Sequence, residues 1–181
     1  MILILILTAG CYQNQIKPNH ISFNTGYGKD TTLGDLSKVE KTESYNISDF
    51  AVEFIDDDIK WSKSIELNII DHKYNYIDDD KLKHATSYCV KGWLIKNYRF
   101  EYLDIFFGAG IGFGYINPTE NSNYIADSHF TSDLGIRAGI QKNFENFGVK
   151  LEYQLHHFSA IWEDDSGENE DEVRVGLVFP F

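Results

Sequence analysis

The sequence predicts an all-β protein, an eight-stranded antiparallel up-and-down barrel of the outer-membrane type. Three observations carry this. Segment after segment alternates apolar and polar residues, the period of a strand with two unlike faces. The connections between segments alternate long and short, as in barrels with long external loops and short periplasmic turns. The last segment places Val173, Val175, Leu177, Phe179 and Phe181 on one face and ends on an aromatic residue, as such barrels commonly do.

Composition agrees. The 181 residues suffice for one domain, aromatics make up 15%, and the chain has 14 Gly and only 3 Pro, a mixture better suited to strands than to helices. The net charge of −12 argues against a nucleic-acid partner, because phosphates would be repelled. Cys11 and Cys89 are the only cysteines, too few and too far apart for a disulfide framework or a zinc site. No cofactor or metal is expected. The opening stretch MILILILTAG is too short to span a membrane and reads as the apolar and cleavage regions of an export signal. "LTAGC" also loosely matches a lipoprotein box that would lipidate Cys11. The expected organisation is a removed signal over 1–10, a short linker over 11–20, and a single barrel domain over 21–181.

The elements follow in order. Residues 21–28 set Ile21, Phe23, Thr25 and Tyr27 against Ser22, Asn24, Gly26 and Gly28. Residues 48–55 group Phe50, Val52 and Phe54; residues 61–71 group Trp61, Ile65, Leu67 and Ile69. Residues 88–97 are apolar but mixed, so their faces stay unassigned. Residues 102–115 are the cleanest: Leu103, Ile105, Phe107, Ala109, Ile111, Phe113 and Tyr115 oppose a face holding Gly108, Gly110, Gly112 and Gly114. Residues 130–141 alternate Leu134, Ile136, Ala138 and Ile140 against Asp133, Gly135, Arg137 and Gln141. Residues 147–159 and 171–181 complete the set. Long polar connections are expected over 29–47, 72–87, 117–129 and 160–170, and short ones over 56–60, 98–101 and 142–146. A soluble lipocalin-like barrel alternates equally well and is the competing fold, but it would need neither a terminal aromatic nor such regular long-short connections.

The seventh segment raises a chemical question. Its apolar face, Val149, Leu151, Tyr153 and Leu155, ends in His157 and Ser159. With the chain starting in the periplasm, this places both on the outer wall at the external interface. Residues two apart on one face lie roughly 6.5 Å apart at the backbone, within reach of leaning side chains. Asp171 shares the face on the neighbouring eighth strand, and same-face residues of antiparallel neighbours can interact. A carboxylate that orients, an imidazole that takes the proton and a hydroxyl that attacks make an activated serine. His156 points to the other face and cannot join His157 in holding a metal. Asp104, Asp133 and Arg137 are expected in a charge network inside the barrel. The acidic runs 56–58 and 78–80 lack the ligand spacing of a calcium site. Tyr12, Trp61, Trp93 and Trp162 are candidates for interfacial aromatic belts.

"YQLHHFS" resembles the Tyr-x-x-x-His-x-Ser segment of the outer-membrane lipid A 3-O-deacylases, the PagL-type acyloxyacyl hydrolase-like barrels. "FFGAGIGFGY" and "DLGIRAGIQ" resemble strands of the same family, so the likeness runs over roughly residues 102–181. It implies an eight-stranded barrel of the cell outer membrane that hydrolyses the ester-linked 3-hydroxyacyl chain of lipid A, with lipopolysaccharide of the outer leaflet as partner. It further implies His157, Ser159 and Asp171 as catalytic residues, the acid twelve positions beyond the serine. The sequence departs from the family at three points: Asp171 stands where Glu is usual, Ala160 stands where Asn is thought to help hold the oxyanion, and the loop reads DDSGENEDE rather than carrying a Pro-Asn-x-Gly turn. A non-catalytic barrel is therefore the alternative function, with a soluble hydrophobic-ligand carrier behind it.

Overall fold

The computed structural model describes residues 19–33, 39–56, 61–76, 79–118, 129–160 and 167–181. The expected signal, Cys11, Tyr12 and Trp162 lie outside them, as do the side chains of both acidic runs. Eight strands follow in chain order: β1 His20–Leu33, β2 Val39–Asp56, β3 Trp61–Tyr76, β4 Asp79–Arg99, β5 Asp104–Pro118, β6 His129–Asn143, β7 Gly148–Ala160 and β8 Gly167–Pro180. Each pairs antiparallel with the next, and β1 pairs with β8, so the sheet closes and leaves no unpaired edge.

Two tight turns mark one end. Phe100 N–H donates to the Leu103 carbonyl at 3.1 Å, and Phe144 N–H donates to the Phe147 carbonyl at 2.7 Å. The Phe181 N–H reaches back to the Asn19 carbonyl at 3.0 Å, so both described ends of the chain lie at this same end. Short turns and chain ends together identify the periplasmic rim.

Alternation sorts the side chains as expected. Phe23, Leu67, Leu94, Phe107, Leu134, Ile136, Leu151, Val175 and Leu177 are exposed on the outer wall. Asp49, Glu66, Lys91, Asp133, Arg137, Lys150, Glu152 and Arg174 are buried inside. Apolar outside and ionic inside is the arrangement a bilayer demands of a closed sheet. It removes the ligand-carrier alternative, which needs an apolar lumen. The interior cations are paired: Lys91 with Asp133 at 2.7 Å, Arg137 and Arg174 each with Glu66 at 3.0 Å, and Lys150 with Glu53 at 3.6 Å. Asp104, expected in this network, instead accepts from Asn143 at the exposed rim.

The unassigned fourth segment is explained by Trp93. It was a candidate for an interfacial belt, but it is 2% exposed and points inward beside Ile95 and Phe106, while Val90 and Leu94 face out. An apolar filler inside and lipid outside make both faces of β4 apolar. Room for the indole comes from neighbouring glycines. A Cβ on Gly110 would lie 2.6 Å from the Trp93 ring, and one on Gly135 would lie 2.7 Å from it. The Arg137 guanidinium lies over the ring, 4.4 Å from its centroid. Gly110→Val is accordingly expected to destabilise the barrel by about 1–3 kcal/mol, the range for overpacking. Urea unfolding in detergent micelles would measure it, and an unchanged midpoint would contradict this packing.

The connections expected over 29–47 and 72–87 are in large part strand. β1 runs to Leu33, β2 begins at Val39, β3 runs to Tyr76 and β4 begins at Asp79. A ladder needs only paired backbones, so a hairpin can continue beyond the segments that show strict apolar alternation. Length and polarity therefore mark where the apolar band stops, not where the strand stops.

Candidate active site

β7 carries His157 and Ser159 outward. Both are half-buried, whereas Leu155 below them and Leu134 beside them on β6 are exposed. Strand alternation sends Phe158 inward, where it is 2% exposed, and so fixes its two neighbours on the wall. The Ser159 hydroxyl lies 2.8 Å from His157 Nε2. His157 Nδ1 lies 2.8 Å from Asn169 Oδ1. An amide oxygen only accepts, so Nδ1 carries the proton and Nε2 is left to accept from Ser159. The hydroxyl, imidazole and amide thus form one hydrogen-bonded chain across β7 and β8. Its tautomer is the one a general base requires.

The structure brings His157 and Ser159 together and sets Asn169, not Asp171, opposite His157. In the β7–β8 ladder His157 faces Asn169, and Asp171 faces Leu155. Asp171 is therefore one same-face step further from the external end. Its carboxylate accepts from the Tyr153 hydroxyl at 3.5 Å and has no hydrogen bond to His157. The difference is one of register. Counting along the sequence gave the acid at the family's spacing, but the partner of His157 depends on how the β7–β8 hairpin closes. Asn169 was missed because it is uncharged. The signal that could have found it is parity, since it shares the outward face with Asp171.

One more hydroxyl adjoins the pair. Ser132 on β6 is the direct ladder partner of Ser159 and donates to its carbonyl at 3.4 Å. It interrupts an otherwise apolar outward run of Phe130, Leu134, Ile136 and Ile140. Ala160 pairs with Thr131 in the ladder. Residues 161–166 of the altered loop lie outside the described residues.

Behind this wall, His156 faces the interior as expected. It lies 2.9 Å from Lys91 Nζ and 3.4 Å from Asp133, and it stacks against Phe158 with ring centroids 5.8 Å apart. No group of three or more His, Cys, Asp or Glu side chains converges to hold a metal ion among the described residues. A hydroxyl hydrogen-bonded to an imidazole whose other nitrogen is held by an amide is an arrangement able to activate the hydroxyl as a nucleophile.

The family model for PagL, lipid A 3-O-deacylase, matches residues 49–178, well over half the chain. No curated protein matches it by sequence. Among solved structures, Neisserial surface protein A is similar with a TM-score of 0.64 at 10% identity, over 90% of this chain and 96% of that one. The outer membrane enzyme PagL is similar with a TM-score of 0.54 at 14% identity, over 86% of this chain and 97% of that one. At these identities both likenesses concern the barrel itself.

Proposed function

The chain belongs to the PagL family of lipid A 3-O-deacylases, located in the outer membrane, and on that premise we propose that it removes the ester-linked 3-hydroxyacyl chain of lipid A by serine catalysis. The observation that carries this reading is the Ser159–His157–Asn169 chain on the lipid-facing wall, with both links at 2.8 Å. Ser159 Oγ attacks the acyl carbonyl as His157 Nε2 takes its proton. The same imidazolium returns the proton to the departing sugar 3-hydroxyl, leaving an acyl-serine. A water molecule, deprotonated by His157, then releases the 3-hydroxy fatty acid and regenerates Ser159.

Asn169, rather than Asp171, is the third member in this scheme. It holds the imidazole's tautomer and angle without a charge to stabilise the imidazolium. That is a weaker arrangement than a carboxylate, though Cys-His-Asn sites show that an amide suffices to orient. In this scheme the Ser132 hydroxyl turns from the Ser159 carbonyl, to which it donates at 3.4 Å, to the developing oxyanion, the task Ala160 cannot perform with its side chain. Loss of one such donor typically costs about 10²–10³ in rate. Ala160→Asn is expected to raise the turnover, and an unchanged rate would show that this donor does not limit it.

The deciding experiment is mass spectrometry of lipid A from cells with and without the protein. Loss of one ester-linked 3-hydroxyacyl group supports the deacylase; unchanged lipid A in cells that display the folded barrel leaves the non-catalytic reading. That second reading draws on the same departures, the uncharged Asn169 and Ala160. A substitution tests the role of Asn169. Asn169→Asp supplies charge to the imidazolium and should raise turnover by roughly tenfold or more. It should also move the acid limb of the pH profile upward, because a carboxylate favours the protonated imidazole. Asn169→Ala should slow turnover without that displacement. Equal profiles for all three proteins would remove Asn169 from the scheme.

A further inference from the structure

Among the described strand residues the outer wall mixes both signs of charge toward the external end and carries lysines toward the periplasmic end. In the external half the described outward side chains include Asp71 and Asp171, with Lys29, Lys73 and His84 among them. In the periplasmic half the described outward side chains hold no Asp or Glu, but three lysines: Lys63 on β3, Lys96 on β4 and Lys142 on β6. A lysine on a lipid-facing wall is costly unless its ammonium reaches the interface or meets an anion.

Two of these lysines form a pair. In the β3–β4 ladder Trp61 faces Lys96 and Lys63 faces Leu94. Lys63 and Lys96 are thus diagonal same-face neighbours, a relation that sets side chains roughly 7–8 Å apart. The gap is spanned by two flexible four-carbon stems. The Lys96 ammonium lies over the Trp61 ring, 4.8 Å from its centroid, and Trp61 is itself 39% exposed on the wall. Neither lysine forms an ion pair among the described residues. Leu94, Phe107 and Phe54 flank the pair on the same wall.

Two cations without an ion pair among the described residues, an indole near the periplasmic end and a surround of acyl-compatible side chains match one kind of partner. We propose that Lys63, Lys96 and Trp61 form a binding site for an anionic phospholipid of the periplasmic leaflet. The ammonium pair brackets the headgroup phosphodiester, the indole packs on the glycerol region, and the acyl chains lie along Leu94 and Phe107. A zwitterionic lipid presents a cation of its own to the lysines and gains less. Lys142 sits two strands away over Tyr102, 5.8 Å from the ring centroid, as a single cation without a diagonal partner. It serves as the internal comparison.

The test is native mass spectrometry of the folded, detergent-solubilised full chain titrated with phosphatidylglycerol or with phosphatidylethanolamine of identical acyl chains. About tenfold tighter retention of phosphatidylglycerol is expected, from two juxtamembrane cations near an anionic headgroup. Lys63→Gln/Lys96→Gln should abolish the preference, Lys63→Arg/Lys96→Arg should keep it, and Lys142→Gln should leave most of it. Heat-modifiable gel migration confirms that each variant is folded. Equal retention of the two lipids by the wild-type protein overturns the proposal without any variant. So does a preference that survives the double glutamine substitution. Displacement of the lipid by excess inorganic phosphate would reassign the pair to free phosphate and equally overturn it.

Discussion

Ser159→Ala is expected to remove nearly all deacylation, by roughly 10³–10⁶ in turnover, while leaving the barrel folded. The chemical half follows from the 2.8 Å link between the Ser159 hydroxyl and His157 Nε2. Without it, His157 Nε2 has no hydroxyl within hydrogen-bond distance among the described residues. His157→Ala should cost about as much, because an unassisted hydroxyl is a poor nucleophile near neutral pH. The double variant should be little worse than either, since members of such a unit fail together. The structural half follows from position. Both side chains are half-buried on the outer wall and take no part in the interior ion pairs. Truncating them leaves those pairs intact, and heat-modifiable migration on gels should match the wild type. The readout is release of 3-hydroxy fatty acid from purified lipid A in mixed micelles. Full activity in Ser159→Ala would take the nucleophile from Ser159 and favour the non-catalytic barrel.

Where alternation is strict, the sequence spoke clearly. β5, β6, β7 and β8 put a mostly apolar set on one face and mostly glycine, polar or charged residues on the other, because lipid favours one kind of side chain and the narrow lumen the other. The strands' outward faces, and so the shared wall of His157 and Ser159, were legible at once. Three features were not. β4 hid its faces because Trp93 is an apolar residue used as interior filler, a role that depends on glycines on other strands, Gly110 and Gly135. The outer ends of β2 and β4 hid because pairing beyond the bilayer leaves no hydrophobic trace. The partner of His157 hid because register is a relation between two strands. A hairpin closing two residues differently would bring Asp171 rather than Asn169 to the imidazole, with the same parity throughout. Local pattern fixes a face, and only the ladder fixes a neighbour.

That ladder is itself held from the inside, which leads to the largest expected effect on stability. Arg174→Met should destabilise the barrel by about 3–5 kcal/mol, the range for leaving buried charge uncompensated. Arg174 is 1% exposed, on β8, and its guanidinium reaches carboxylates from three other strands. It meets Asp49 of β2 in close contact, Glu66 of β3 at 3.0 Å and Glu152 of β7 at 3.5 Å, with Glu172 of its own strand at 3.9 Å. Methionine fills similar volume but leaves these acids facing one another in a lumen whose charges are already weighted toward carboxylate. Arg174→Lys should recover only part of the loss, because one ammonium cannot span the positions a planar fork reaches. Pairing Arg174→Met with Glu66→Gln should cost less than the sum of the two single changes, since one removes an acid that the other has stranded. Urea unfolding in detergent micelles measures all four proteins. Additive losses, or a midpoint for Arg174→Met near that of the wild type, would show that the interior pairs contribute little. Activity separates this effect from catalysis. Arg174 and Asn169 lie on opposite faces of β8, so each folded Arg174→Met molecule should still turn over lipid A at close to the wild-type rate, and only the folded fraction should fall. A lower rate per folded molecule would mean that the interior pairs also set the β7–β8 register on which the His157–Asn169 hydrogen bond depends.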